Sequence, residues 1–324
     1  MLAVTADRID PDDPLTALGV GERPDPVPPE GWTTVRVRAA ALNHHDLWTL
    51  KGVGISPERL PIVLGCDAAG VDEDGRDVIV HAVVGDVDAG DGDETLDPRR
   101  SLLSEVHDGT LAELVAVPRR NLVPKPEQLT WAEAACLPTA WLTAYRMLFV
   151  RGGLVAGDSV LVQGAGGGVA TAAIVLARAA GLQVYATSRD EAKRARALEI
   201  GAHVALEAGA RLPERVDAVV ETVGEATWDH SLKALKPGGR IVVCGATSGF
   251  NPPAQLNRVY FLQLSVIGST MGTLGELTEL AALCASEDIH PLVDSSYELG
   301  DARSAFARLA SGEAFGKIVL TVAD

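Results

Sequence analysis

Long apolar runs are missing from this 324-residue chain. No stretch reaches the length of a membrane span, and Met1 leads into an acidic segment rather than a basic, apolar leader, so a cytoplasmic protein with no membrane partner is expected. Cysteine is scarce. The four residues, Cys66, Cys136, Cys244 and Cys284, lie far apart. That spacing argues against a disulfide framework and fits reduced, mostly buried thiols. Positive charge is also in short supply, with 28 Lys and Arg against 44 Asp and Glu and a net charge of -16. A polyanion repels phosphate backbones, so no nucleic acid partner is expected. Internal repeats and low-complexity segments are absent. What remains is an ordinary globular balance, 47% hydrophobic and 22% charged, over more length than one core usually organises; two domains are expected.

Residues 1–123 read as strands and loops. Thr34–Ala39 alternates polar and apolar as a half-buried strand does, and Asp77–His81 is a second strand candidate. Residues 85–100 are acidic and without periodicity, the pattern of a solvated loop. From Pro124 the character changes. Thr130 and Glu133 form a capping box, predicting a helix over Trp131–Leu137 that Pro138 interrupts and Leu142–Val150 resumes. Strands at Ser159–Gln163, Leu182–Thr187, Asp217–Glu221, Arg240–Cys244 and Leu264–Gly268 then alternate with helices at Val169–Ala180, Glu191–Leu198 and Trp228–Leu235. Regular alternation of this kind implies an α/β domain, a doubly wound parallel sheet covered by helices on both faces. The end reverts to the earlier style, with a helix predicted over Tyr297–Leu309 and a strand over Lys317–Val322. The expected division is therefore 1–123 with 290–324 in one domain and 124–289 in the other.

The strand Ser159–Gln163 runs into Gly164-Ala-Gly-Gly-Gly168-Val169-Ala170, which opens the Ala-rich helix. A dinucleotide pyrophosphate needs this order of strand, glycine turn and helix: glycines admit the backbone to the phosphates, and the helix N-terminus offers unpaired N–H groups. Gly164, Ala165, Gly167, Gly168 and Val169 are the candidate cradle, with Ala170 small enough for close packing. The literal frame, Ala165-x-Gly167-x-x-Ala170, falls short of the three-glycine fingerprint, and a glycine turn by itself is simply a turn. Cofactor choice is read at the end of the second strand. Ser188, Arg189 and Lys193 supply a hydroxyl, a guanidinium and an ammonium, which suit the 2′-phosphate of NADPH. Asp190 competes with that reading as a ribose ligand for NAD, or serves only as the N-cap of the next helix.

Several motifs together resemble the medium-chain dehydrogenase/reductase superfamily, and within it the quinone-oxidoreductase-like branch that lacks zinc. They are Asn43-His-His-Asp46-Leu47, Leu64-Gly-Cys-Asp67-Ala-Ala-Gly70-Val71, Gly109-Thr-Leu-Ala-Glu113 and Leu137-Pro-Thr-Ala-Trp-Leu-Thr143-Ala-Tyr145. The glycine turn follows, then Glu221-Thr222-Val-Gly224, Gly245-Ala246-Thr-Ser-Gly249, Ile267-Gly268-Ser269-Thr270 and Phe315-Gly-Lys317-Ile-Val. They span nearly the whole chain in order. The resemblance implies a β-rich GroES-like catalytic domain and a Rossmann domain with a nicotinamide cofactor between them. Zinc-binding members use Cys, His and Cys, and those places fall here on Asn43, Cys66 and Thr139, one thiol among three; residues 85–100 also lack the four cysteines of a structural zinc lobe. No metal is expected on that donor set. By the same resemblance Asn43 and Asp46 line the reacting end of the cleft. Thr143, Thr222, Gly245, Ala246, Gly268, Ser269, Phe315 and Lys317 face the cofactor.

Oxidising an alcohol demands an alkoxide, which a metal stabilises; reducing a quinone or an α,β-unsaturated carbonyl leaves a delocalised charge that hydrogen-bond donors can hold. An NADPH-dependent quinone or enone reductase is therefore expected, against an alcohol dehydrogenase or a non-catalytic dinucleotide-binding protein. In this reading Asn43 donates to a substrate carbonyl, Asp46 orients its neighbours or merely caps a turn, and His45 is a proton donor or a packed side chain. The expected partners are a small carbonyl or quinone substrate and a second copy of the chain, paired through the edge strand Leu264–Gly268.

Overall fold

A computed structural model describes residues 1–323 and separates them into two compact units, Met1–Leu142 with the segment from Met271 onward, and Thr143–Thr270. The division falls at 142/143 and 270/271 rather than at the expected 123/124 and 289/290. Local packing explains the difference: the capped helix Trp131–Ala135 lies on the strands Trp32–Ala41 and Asp67–Asp72 of the first unit.

In the first unit a twisted mixed sheet runs in the order Leu122–Pro124, Asp77–Val80, Asp67–Asp72, Trp32–Ala41, Lys317–Thr321 and Val293–Glu298, with Leu114–Pro118 also paired to Trp32–Ala41. A smaller sheet joins Leu18–Glu22, Leu2–Ala6 and Ile62–Val63. Alternating residues of the central strand point inward, and Val35 and Val37 sit in the core with Leu50, Leu64 and Phe306. The C-terminal tail rejoins this unit, since Val319 to Thr321 pair antiparallel with Ala41 to Ala39. That pairing sets Lys317, the first residue of its own strand, beside the end of Trp32–Ala41 that leads into Asn43.

The second unit holds six parallel strands in the order Val204–Leu206, Gln183–Thr187, Ser159–Val162, Val216–Glu221, Leu235–Val243 and Ser265–Gly268. Helices Gly168–Ala179, Glu191–Glu199 and Glu225–Ala234 make the crossovers. Parallel pairing buries both faces, which is why Val160, Leu161, Val162, Val219 and Val220 are all enclosed. The α/β architecture is thus the expected one, a GroES-like β-rich unit and a Rossmann sheet.

Several local expectations are corrected. Pro138 does not interrupt the helical path; it sits at the first positions of a π-helical turn, Leu137–Trp141, where its missing N–H costs nothing. The helix expected from Trp228 begins at Glu225. Residues 237–239, whose Pro-Gly-Gly sequence suggests a turn closing that helix, lie inside the strand Leu235–Val243, whose pairing is irregular beside Val216. Tyr297 belongs to a strand, and the helix after it spans Ala302–Ser311. The strand Val204–Leu206 and the helices Leu256–Phe261 and Leu274–Ser286 went unforeseen. Residues 85–100 are a solvated loop only in part: most of them are exposed, but the stretch is anchored by buried acids. Glu94, Thr95 and Asp97 are buried, Asp97 accepts the N–H of Asp86 (2.8 Å), and Glu94 accepts the N–H of Leu274 at 2.6 Å. The two buried acids, Glu94 and Asp97, satisfy backbone donors, while Asp86, Asp88 and Asp91 are exposed.

Candidate functional site

The glycine turn closes over the ends of three parallel strands. Gly164 and Gly166 take φ of +71° and +138°, which L side chains rarely adopt, and the helix starts at Gly168. The N–H of Ala165 donates to the carbonyl of Thr187 at 2.7 Å, tying the turn to the second strand. A Cβ built on Gly167 would meet nothing within 4 Å. An open cradle beside a helix N-terminus fits the pyrophosphate of a dinucleotide.

At the second strand's end Ser188 is buried and Arg189 exposed. Lys193 folds back over the turn, its aliphatic stem occupying the space a side chain on Gly166 would fill. Asp190 is engaged as the N-cap of the next helix, its carboxylate accepting the N–H of Lys193 at 3.2 Å. Arg194, which the sequence did not single out, donates to the carbonyls of Ser188 (2.9 Å) and Arg189 (3.2 Å). Three cationic side chains therefore gather at this strand end. Its other members are consistent with a rim: Thr143 is nearly buried, Thr222, Gly245, Ala246 and Ser269 are partly exposed, and Gly268 is open, its carbonyl accepting from Arg151 at 3.0 Å.

Beneath the turn lies a buried polar network. Gln163 donates to His230 Nδ1 (2.9 Å) and Ser231 (3.0 Å) and accepts from Thr187 (2.6 Å). Ser231 donates to Glu221, whose carboxylate also accepts the N–H groups of Val223 (2.8 Å) and Gly224 (2.9 Å). The network locks the ends of the strands that carry residues 164, 188 and 222 relative to one another.

In the first unit the short helix His44–Leu50 starts at Asn43. Lys317 brings its ammonium to Asn43 Oδ1 (2.6 Å), Asp67 Oδ2 (2.9 Å) and the carbonyl of Leu42 (2.7 Å), and Asn43 Nδ2 donates to Asp67 Oδ2 at 2.9 Å. Lys317 is 2% and Asp67 0% exposed, so this is a buried, hydrogen-bonded ion pair. Asp46 reaches back to accept the N–H of Asn43 at 2.7 Å, the capping contact that was one of its two expected roles. Burial pushes its carboxyl up from 3.8 to about 7, against the opposing pull of that N–H and of Lys317. Two expectations change. Both sides of the Asn43 amide are taken up internally, the second hydrogen facing the carbonyl of Ala41 at 3.4 Å, so it is not poised to donate to a substrate. Phe315 is fully buried and its N–H donates to Asp294 at 2.9 Å, while the Lys317 ammonium serves the ion pair; neither is presented to a ligand.

The donor set where zinc-binding relatives hold metal does not fit one. Cys66 donates its proton to the carbonyl of Leu103 (3.2 Å), and burial with nearby Asp46 and Asp67 pushes the thiol well above its ordinary range. Asn43 Oδ1 is occupied by an ammonium, and Thr139 offers only a hydroxyl. Among the described residues no group of three His, Cys, Asp or Glu side chains is arranged to hold a metal ion, and no helix is long and apolar enough to cross a membrane. Beside this cluster stands a residue that sequence reasoning missed, Glu105, whose carboxylate lies 3.8 Å from His45 Nε2. Neither periodicity nor motif marks it; 60 residues of chain separate the two, and only the folded loop brings them together.

Comparison with known proteins agrees with this architecture. Residues 29–127 match the alcohol dehydrogenase GroES-like domain, and residues 168–286 match the zinc-binding dehydrogenase family. The acryloyl-coenzyme A reductase of Metallosphaera sedula is 30% identical, with 93% of this chain and 96% of that protein covered. The crotonyl-CoA reductase of Streptomyces collinus is 29% identical over 89% of this chain and 77% of its own length. Among solved structures, an NAD-dependent alcohol dehydrogenase superposes with a TM-score of 0.91 at 34% identity, covering both chains completely. Sequence, sheet order and site together establish that the chain belongs to the medium-chain dehydrogenase/reductase superfamily.

Proposed function

We propose that this oxidoreductase is an NADPH-dependent reductase of carbon–carbon double bonds conjugated to a carbonyl, with an enoyl thioester as its preferred acceptor class. The observation that carries the reading is the filled metal place: an amide, an ammonium and a carboxylate bonded to one another where a Lewis acid would otherwise serve an alcohol. The kinship to acryloyl-CoA and crotonyl-CoA reductases supports the acceptor class. A quinone belongs to the same electronic class and is the second acceptor to test.

The 2′-phosphate of NADPH is assigned to Ser188, Arg189 and Lys193, with Arg194 fixing the backbone of that corner. Asp190 spends its carboxylate on the helix cap, which argues against a ribose role and for NADPH over NADH. Gly164, Ala165, Gly167, Gly168 and Val169 cradle the pyrophosphate. Thr143, Thr222, Gly245, Ala246, Gly268 and Ser269 complete the rim. When bound, the reduced nicotinamide supplies a hydride. The protein's own part is to orient, to exclude water and to hold the charge left on the acceptor oxygen. In the first unit Asp46, neutral below about pH 7, and the Asn43–Asp67–Lys317 cluster position the start of the helix His44–Leu50.

The chain pairs with a second copy along the sheet edge Ser265–Gly268. Val266 on that edge is exposed, as are Leu256, Tyr260 and Phe261 on the preceding helix, apolar surface that water tolerates poorly.

The test is NADPH consumption by chelator-treated protein with crotonyl-CoA, a benzoquinone and, in the reverse direction, a primary alcohol with NADP⁺. Turnover of the thioester without added metal is the expected result. Turnover of the alcohol alone, or dependence on zinc, would overturn the reading.

A further inference from the structure

Reduction of a conjugated acceptor needs a proton as well as a hydride, and most polar groups near Asn43 are already committed. Asn43, Lys317 and Asp67 are bonded to one another, Cys66 donates to Leu103, and Asp46 is sealed behind the backbone of Asn43. His45 is different. It lies in the first turn of the helix His44–Leu50 with its side chain 22% exposed, yet its Nε2 is closed off from water, without a hydrogen bond, and faces Glu105 Oε1 at 3.8 Å. With Nε2 turned to a carboxylate, Nδ1 is the ring nitrogen left to meet a substrate, and the side chain keeps part of its surface exposed. Gly54, at φ +80°, passes close to the same oxygen, and a side chain there would press within 3.2 Å of it. Long contacts that tighten on substrate binding are usual for catalytic pairs.

Resting on the reductase reading above, we propose that His45 and Glu105 form the proton-donating pair, Glu105 holding Nε2 while Nδ1 protonates the carbon next to the carbonyl. The step balances. Hydride addition brings two electrons and one hydrogen from the reduced nicotinamide, which leaves oxidised, and the acceptor becomes an enolate. The enolate's electron pair forms the new C–H bond as the Nδ1–H bond breaks, leaving a neutral imidazole that takes its next proton from water. Burial pulls the His45 pKa below its ordinary value, with Glu105 and Asp67 acting in the opposite sense to favour the imidazolium; burial likewise lifts the Glu105 carboxyl, with His45 and Arg100 favouring its ionised form.

Two readouts test the pair. In cofactor-free protein, the imidazole titration of His45 is followed by NMR, its signal assigned with His45→Gln, in wild type and Glu105→Gln. The pair requires the His45 pKa to fall in Glu105→Gln. With crotonyl-CoA and NADPH, His45→Gln should lower kcat by roughly a hundredfold or more with little change in KM. Glu105→Gln should move the basic limb of the kcat/KM profile to lower pH, a shift that a packing role would not cause. A His45 titration indifferent to Glu105→Gln overturns the pair whether or not any substrate turns over. A kcat for His45→Gln within about threefold of wild type overturns the donor role. A shifted titration with no turnover of any acceptor would refute the reductase reading, and the donor role with it.

Discussion

Replacing Asp46 with Asn should stabilise the protein increasingly as pH rises. Asp46 is fully buried, and burial lifts its carboxyl from 3.8 to about 7. The folded state therefore binds this proton more tightly than the unfolded chain does. Stability from this group is highest below about pH 4, falls as pH rises and levels off above about pH 7. A difference of about three pH units corresponds to about 4 kcal/mol between those limits. Asn cannot titrate, yet its amide oxygen can still accept the N–H of Asn43 that Asp46 now accepts at 2.7 Å. The variant's stability relative to wild type should thus grow by about 4 kcal/mol between pH 4 and pH 8. Urea unfolding followed by tryptophan fluorescence measures it, because four of the five tryptophans lie in the same unit. A difference constant with pH would refute the neutral buried carboxyl. A relative loss on raising the pH would mean that Asp46 is an ionised partner of Lys317 instead.

Lys317→Met should cost about 3–5 kcal/mol, since it leaves the Asp67 carboxylate buried without its cation; a loss below 1 kcal/mol in the same unfolding assay would contradict the ion pair. His290 has its pKa raised by Asp288 and then Glu133, so its contribution is complete below about pH 6.5 and disappears as pH rises through the higher folded value. His290→Gln should lower the unfolding midpoint slightly at pH 6 and not at pH 9, by a few tenths of a kcal/mol at most for so exposed a group. Arg189→Ala should weaken NADPH binding about tenfold or more while sparing NADH, read by fluorescence titration; equal losses for both cofactors would remove the 2′-phosphate from this corner. Val266→Arg should convert the dimer to monomer in light scattering, and a wild-type monomer would dispose of the edge pairing.

The parts of this fold that were legible in sequence are those written in local pattern. Strand–helix alternation from Ser159 onward announced the parallel sheet, and the glycines at 164–168 announced their own turn, because backbone conformation and helix start are set by neighbours in the chain. The site in the first unit was not legible in the same way. Lys317 meets Asn43 across 274 residues and Asp67 across 250, so its engagement in an internal ion pair leaves no local trace. The acidic stretch 85–100 was legible only in part for a related reason. Composition cannot tell a solvated aspartate from one that accepts an N–H, and Glu94 finds its donor, Leu274, 180 residues away. Arg194 carries no mark in the local pattern either, yet its guanidinium braces the backbone of Ser188 and Arg189.

The central claim is hydride delivery to a conjugated carbon without a metal, and isotope placement tests it most directly. Chelator-treated enzyme would be given NADPH deuterated at the transferable position of C4, together with crotonyl-CoA, and the product examined by NMR. The account predicts one deuterium on the carbon β to the thioester carbonyl of the saturated product. An unlabelled thioester, with deuterium appearing instead on a carbinol carbon when an aldehyde is offered, would contradict it.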